Sequence, residues 1–381
     1  MSSEKESTPP HISIQNDDEE GHGSPKSNGT PKSSSGWDGK LRIDKEKKAE
    51  LVNPEAISDP EYSDEEQVLQ GQIIEADEDL LDDYEPDTEE IDCVHARVSS
   101  IPSLRLDRFK AVTRLCLRQN TITEVEGLSV LAATLQDLDL YDNLIAHIRG
   151  LEDLTKLTSL DFSFNKIKHI RKVNHLVNLT DIYFVQNKIM TIENLGGLTK
   201  LRNLELAANR IREIQNVESL TGLEELWLGK NKLTQIKGLD TLQNLKILSI
   251  QSNRIREITG LDKLPHLEEL YISHNALTSL NGLEKVFGLR VLDISNNQVA
   301  SMVGLKHLKD LEELWASYNS IGDFAEVEEQ LSHMEKLNTV YFEGNPLQLR
   351  GPALYRNKIR LMLPQVKQID ASEFPAPCIL L

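Results

Sequence analysis

The chain has 381 residues, with 42 Lys+Arg against 61 Asp+Glu and a formal net charge of −19. Residues 1–94 hold 27 acidic and 8 basic residues, so the whole excess sits there, and residues 95–381 balance at 34 of each sign. An acidic leading segment on a neutral body argues against a nucleic-acid binder, which needs clustered Lys/Arg to displace counterions from phosphates.

Cys93, Cys116 and Cys378 are too few and too scattered for a disulfide framework or a zinc site. The start, Met1-Ser2-Ser3-Glu4-Lys5, lacks the basic and apolar regions of a signal peptide. No apolar run approaches the roughly 20 residues that span a bilayer. An intracellular, reduced, soluble protein is expected.

In chain order, residues 1–90 come first. They contain no Phe, and their aromatic residues are Trp37, Tyr62 and Tyr84 among many Ser, Pro, Gly, Asp and Glu. Such a segment buries too little apolar surface to offset its ordering entropy and is expected to be a disordered acidic tail. Ser63, in Ser63-Asp64-Glu65-Glu66, is a candidate site for an acidophilic kinase, and Thr8-Pro9, Ser24-Pro25 and Thr30-Pro31 have the proline-directed form. Acidic tails also produce such strings by composition.

Residues 91–101 read as a worn half-repeat, and from there one register takes over. An Asn closes a Leu-x-Leu-x-x-Asn-like string at 120, 143, 165, 187, 209, 231, 253, 275, 297, 319 and 345. The intervals are 23, then 22 eight times, then 26. This is a leucine-rich repeat. In Leu204-Glu205-Leu206-Ala207-Ala208-Asn209 the two Leu point inward and Glu205 outward, as a short strand requires. The Asn follows where the chain turns, and its amide can bond backbone groups that the turn leaves unpaired. Ile211, Ile214, Val217, Leu220 and Leu223 then recur every three residues under a short helical or 3₁₀ return path. The fold class is α/β: a curved solenoid over residues 91–345, with a concave parallel β-sheet and short 3₁₀/α returns. Ten steps of about 4.8 Å make a face about 48 Å long.

Past Asn345 the period stops. Residues 346–374 are expected to close the solenoid with a helix and a strand, because terminal repeats need a cap. Residues 375–381 end in Cys378-Ile379-Leu380-Leu381, the Cys-aliphatic-aliphatic-X form for geranylgeranylation. Cys378 is therefore a candidate prenylation site, and a membrane enters only if it is modified. A single lipid without a polybasic stretch binds membranes marginally.

Leu, Ile and Asn are scaffold, so function is sought at the outward strand positions. Four residues before each Asn stand Cys116, Asp139, Asp161, Tyr183, Glu205, Trp227, Ser249, Tyr271, Asp293, Trp315 and Tyr341. Five of the eleven are aromatic, against 5% of the chain, and four are acidic. Two residues earlier come Asp137, Asp181, Glu225, Glu269 and Glu313. Two before the Asn, Ser163, Ala207, Gly229, Ser273, Ser295 and Ser317 would let another surface approach closely. Aromatic residues suit strands in any case. Five on the outward side of one sheet, ringed by carboxylates, instead have the composition of a protein interface. No Gly-rich phosphate loop, nucleophile elbow or paired-His metal motif accompanies them, so no enzyme, cofactor or metal site is expected. Cys116 shares its neighbourhood with no His.

The strings Leu115-Cys116-Leu117-Arg118-Gln119-Asn120, Leu138-Asp139-Leu140-Tyr141-Asp142-Asn143, Leu228-Gly229-Lys230-Asn231-Lys232 and Thr339-Val340-Tyr341-Phe342-Glu343-Gly344-Asn345-Pro346-Leu347-Gln348 resemble the leucine-rich-repeat regulatory subunits of type-1 Ser/Thr protein phosphatase, over about residues 91–374. The resemblance implies a non-catalytic subunit that grips the phosphatase catalytic subunit with its concave face. Carried over by register, the contact residues are Asp161, Tyr183, Glu205, Trp227, Asp293, Glu313, Trp315 and Tyr341, and Tyr271 joins them from the same outward register. It also implies roles in phosphatase maturation, localisation and mitosis, a nuclear and cytoplasmic location, and a ternary complex with an inhibitor subunit. Any metals would be the phosphatase's. The short Arg/Lys-Val-x-Phe docking string of many phosphatase partners is absent, since Lys285-Val286 runs directly into Phe287. The rival expectation is an acidic leucine-rich-repeat chaperone or histone-binding protein acting through its tail.

Overall fold

The computed structural model describes residues 80–373. Three-residue strands recur once per repeat: β1 Glu90–Asp92, β2 Arg114–Cys116, β3 Asp137–Asp139, β4 Ser159–Asp161, β5 Asp181–Tyr183, β6 Asn203–Glu205 and β7 Glu225–Trp227. They continue as β8 Ile247–Ser249, β9 Glu269–Tyr271, β10 Val291–Asp293, β11 Glu313–Trp315 and β12 Thr339–Tyr341, with β13 Gln368–Ile369 and β14 Ser372–Glu373 at the end. The fourteen form one sheet in strict sequence order, parallel until the antiparallel β13–β14 pair.

The register follows from the repeat. Leu204 of β6 lies between Ile182 and Leu226, and all three are fully buried. The return-path residues Ile211, Ile214, Val217, Leu220 and Leu223 join the same continuous core. In this repeat the return path is a pair of tight turns rather than a helix, with Leu220 N–H bonding Val217 C=O at 2.9 Å and Leu223 N–H bonding Leu220 C=O at 3.0 Å. The 3₁₀ turns lie near the N-terminus, at Ile101–Leu104, Leu106–Arg108 and Leu128–Leu131. The repeat lengthened to 26 residues has room for helix α1, Phe324–Leu331, whose Asp323 N-cap accepts from Ala325 N–H at 2.8 Å.

The Asn ladder ties neighbouring repeats together. Asn209 Nδ2 donates to Phe184 C=O at 2.8 Å in the repeat before, and to Leu206 and Ala207 C=O of its own turn at 3.1 and 3.2 Å. Its Oδ1 accepts from Ile189 N–H at 2.9 Å. A side chain with a donor amide and an acceptor oxygen is needed, which is why Asn recurs and neither Asp nor Leu substitutes. The residue before each Asn is left-handed, with φ of 55° at Ala208 and 57° at Phe164. The last rung has Gly344, φ 75°, where any Cβ would run into the Tyr318 ring.

The described residues begin at residue 80, inside the stretch that composition assigned to the tail. Leu81 is buried, and Tyr84 Oη donates to Asp92 C=O at 3.2 Å. At the other end the cap contains α2 Pro346–Leu349 and α3 Pro352–Met362 before β13. Asp370, 1% exposed, closes it by accepting from Phe342 N–H, Glu343 N–H and Tyr355 Oη at 2.9, 3.1 and 3.2 Å. Burial and this carboxylate push the Tyr355 hydroxyl well above its ordinary range. Residues 1–79 with Ser63, and 374–381 with Cys378, lie outside the described residues.

Candidate protein-binding face

Each strand sends its central residue into the core and its two flanking residues to the open face of the sheet. The strongest pattern there has a two-repeat period. β7, β9 and β11 read Glu-Leu-Trp, Glu-Leu-Tyr and Glu-Leu-Trp, and the strands between them end in Ser249 and Asp293. Each Glu holds the ring on its own strand. Trp227 Nε1 donates to Glu225 Oε2 at 3.2 Å, Tyr271 Oη to Glu269 Oε2 at 2.7 Å, and Trp315 Nε1 to Glu313 Oε2 at 3.0 Å.

Trp227, Tyr271 and Trp315 then meet over the intervening strands β8 and β10, and Trp315 meets Tyr341 from the directly paired strand β12. Trp227 and Tyr271 stack at 6.2 Å between centroids, Tyr271 and Trp315 meet edge-on at 6.2 Å, and Trp315 and Tyr341 at 6.0 Å. Strands two apart are separated by about 9.6 Å, so these rings lean toward each other across the gap. Ser249 at 1% and Asp293 at 8% exposure lie on the strands they bridge. Small or short residues at these two places let the bridge form. Burial and Glu269 push the Tyr271 hydroxyl far above its ordinary range, so it stays a neutral donor. Tyr341 Oη accepts from Gln368 Nε2 at 2.5 Å. Next to this row, Ser295, Ser317, Trp315 and Tyr341 line a hollow of about 250 Å³, where the small residues two before the Asn leave space. The four aromatic side chains thus form one pre-oriented, half-buried ridge.

The N-terminal half of the face is acidic instead. Asp139, Asp161 and Glu205 are half-buried, and burial is the first cause raising the affinity of each for a proton. Mutual repulsion adds to it at Glu205, where Asp161 is the next cause. Two of these carboxylates also serve the backbone: Asp161 Oδ1 accepts from Ser163 N–H at 2.7 Å and Asp139 Oδ1 from Tyr141 N–H at 3.0 Å. Arg118 stands 3.3 Å from Asp139 and lies over the Tyr141 ring at 4.2 Å. Tyr183 stands between the halves, its hydroxyl 3.4 Å from Asn203 Nδ2.

Most residues expected at the interface are thus on one face, with one difference. Asp293 accepts from Ser295 N–H at 3.0 Å and is nearly covered, so it supports the ridge more than it meets solvent. Cys116 is 5% exposed, its thiol 4.0 Å from Asp139 Oδ2, and burial raises its pKa, which makes it a poor nucleophile. Sequence reasoning missed the exposed Phe164, whose ring lies 4.8 Å from Tyr141. It occupies the left-handed position before Asn165, a place the strand pattern does not mark. Among the described residues no group of His, Cys, Asp and Glu has the arrangement to hold a metal ion.

The molecule is a leucine-rich-repeat scaffold, a parallel sheet whose open face carries an ordered aromatic ridge beside half-buried carboxylates. A profile described as Leucine Rich repeats (2 copies) matches residues 199–241 and 243–285. The chain is 64% identical over 305 residues to the protein phosphatase 1 regulatory subunit SDS22 of Schizosaccharomyces pombe, covering 80% of this chain and 91% of that one. To the SDS22 of Saccharomyces cerevisiae it is 47% identical over 90 residues, 23% of this chain and 27% of that one. The chain belongs to the SDS22 family of protein phosphatase 1 regulatory subunits. In fold it is similar to an internalin of Listeria monocytogenes, with TM-score 0.61 and 22% identity over 75% of this chain and 87% of that one. A leucine-rich-repeat protein of Leptospira interrogans gives TM-score 0.56 and 25% identity over 69% and 73%.

Proposed function

We propose that this chain is a non-catalytic subunit that grips the catalytic subunit of type-1 Ser/Thr phosphatase with its concave face. The ridge Trp227–Tyr271–Trp315–Tyr341 supplies the desolvated anchors, and Asp161, Glu205 and Glu313 face basic groups of the partner. The observation that carries this reading is the Glu-held row of rings. Aromatic side chains fixed before binding lose little entropy on complex formation, which is the property of interface anchors. Burial is the first cause that raises the proton affinity of Asp161 and Glu205, so a cationic surface that pairs with them would offset part of that desolvation. Binding of this kind controls the phosphatase's maturation, location or activity in nucleus and cytoplasm and serves mitosis, and it leaves the opposite side free for an inhibitor subunit in a ternary complex.

The test is retention of purified phosphatase catalytic subunit on the immobilised chain. Wild type and a variant lacking residues 1–79 are expected to retain it equally, and Trp227→Ala/Trp315→Ala to lose it. Loss on deleting 1–79 with no loss in the double variant would overturn this assignment in favour of a protein acting through its acidic tail. The deletion ends at 79 because Leu81 belongs to the folded core.

A further inference from the structure

The rings of the ridge are held in two different ways, and the difference lies in which group donates. Trp227, Tyr271 and Trp315 each give their one polar hydrogen to the Glu of their own strand, at 3.2, 2.7 and 3.0 Å. An indole N–H is a donor only and a phenol has a single hydrogen, so these three rings have no donor left for a partner.

β12 breaks the pattern. It reads Thr-Val-Tyr where β7, β9 and β11 read Glu-Leu-Trp, Glu-Leu-Tyr and Glu-Leu-Trp, and Thr339 pairs in register with Glu313. Thr339 is 8% exposed, and its hydroxyl donates to Asn338 Oδ1 at 2.7 Å. The position that supplies the carboxylate on the other three strands therefore supplies none to Tyr341.

The cap makes the contact instead. Gln368 of β13 pairs with Thr339, and its Nε2 meets both Tyr341 Oη at 2.5 Å and Asp370 C=O at 3.1 Å. The carbonyl fixes which way the amide faces. A carbonyl only accepts, so the group beside it is the NH₂; turned over, the amide would set two acceptor oxygens against each other. One amide hydrogen goes to the carbonyl and the other to the Tyr341 oxygen. That oxygen accepts, and the hydroxyl keeps its own hydrogen. Among the described residues Tyr341 Oη makes no other hydrogen bond.

The ring itself is well fixed. Tyr341 is half-buried, meets Trp315 edge-on at 6.0 Å, and lines the 250 Å³ hollow with Ser295, Trp315 and Ser317. A hydroxyl held between the row on one side and the cap on the other loses little freedom when it finds an acceptor.

We propose that Gln368 is a positioning residue of the binding face: by donating to Tyr341 it leaves the hydroxyl hydrogen free, and the ridge presents that hydrogen to an acceptor oxygen, carbonyl or carboxylate, of the phosphatase catalytic subunit. The cap then does more than close the core, since it sets the polarity of the last ring. This rests on the phosphatase reading above and adds a directional contact to a row that otherwise offers apolar area.

The test is a double-mutant cycle on the full chain, with the dissociation constant for purified phosphatase catalytic subunit read by calorimetry and folding checked by thermal melts. Tyr341→Phe keeps the ring and removes the hydrogen, and is expected to bind about fivefold more weakly, the worth of one hydrogen bond. Gln368→Glu keeps the size but replaces the donor by a carboxylate that takes the hydrogen, as Glu269 does from Tyr271, and is expected to lose about as much. The double variant is expected to lose no more than either single one, because both remove the same contact, whereas independent structural effects would multiply to about 25-fold. Should Gln368→Glu fail to fold, Tyr341→Phe decides. Wild-type affinity in either folded single variant, or losses that multiply in the double variant, would overturn this inference, and loss in Trp227→Ala/Trp315→Ala would still leave the phosphatase reading standing. Wild-type affinity in that Trp variant would overturn both.

Discussion

The two halves of the open face are built on one scaffold and do different physical work. From β7 to β12 the outward positions carry rings fixed by Glu225, Glu269 and Glu313 and by one another. From β3 to β6 they carry carboxylates that repel each other and are bonded locally to backbone amides. A ring row offers apolar area with little left to order, so it contributes affinity and slow dissociation. A partly buried carboxylate cluster offers charge at a cost in desolvation, so it contributes steering, orientation and salt dependence. If the open face is the binding surface, as proposed, a partner is expected to be caught by one half and held by the other.

The scaffold beneath should be indifferent to this division. Asn187→Ala and Asn297→Ala, one under each half, each strand a backbone N–H and several carbonyls. Both are expected to cost about 3 kcal/mol of stability in urea unfolding, from the desolvation of unpaired buried groups. A clear difference between them would show that the halves differ in the scaffold and not only on the face.

On the face itself, Trp227→Ala and Trp315→Ala are each expected to lose about 2 kcal/mol of phosphatase affinity by calorimetry, mostly through faster dissociation. Asp161→Asn/Glu205→Gln is expected to lose about 1 kcal/mol at low salt and nearly nothing at high salt, mostly through slower association. Acid should mimic this pair of substitutions. The folded-state pKa values of both carboxylates lie above their ordinary values of 3.8 and 4.5, so their charge is lost earlier as pH falls, and affinity with it.

The smallest effect belongs to the edge of the sheet where Arg202, Glu224 and Lys246 alternate in sign from repeat to repeat, each ion pair closing at 2.7 Å. Arg202 and Lys246 hold the Glu224 carboxyl down at about 2, against an ordinary 4.5. Its stabilisation is therefore present above pH 4.5 and lost as pH falls through 2. The trio is at the surface, so Glu224→Gln is expected to cost less than about 1 kcal/mol at neutral pH and nothing well below pH 2, by thermal melts.

Much of this was legible in the residues because a solenoid repeats its physics. The interval of 22 gave the strands, Asn209 and its equivalents gave the turns, and the outward register gave Trp227, Tyr271, Trp315 and Tyr341. What stayed hidden depends on contacts that a period does not encode. The bridges over Ser249 and Asp293 join rings two repeats apart, and they turn an expected contact residue, Asp293, into a covered one. Leu81 lies in a stretch as acidic as the tail, so composition assigned it there, although the exposed end of β1 needs an apolar cover. The cap helix α3 was foreseen from the end of the period, whereas Asp370 as its buried acceptor was not, because its partners lie 15 and 28 residues away.

The most direct test is the dissociation constant for the phosphatase catalytic subunit at low and high salt, for wild type, Trp227→Ala/Trp315→Ala and Asp161→Asn/Glu205→Gln. The account predicts that the Trp variant is weakened by about the same factor at both salts, while the acidic variant is weakened at low salt only. Unchanged affinity of the Trp variant would contradict it, since the ring row would then not be the surface that holds the partner.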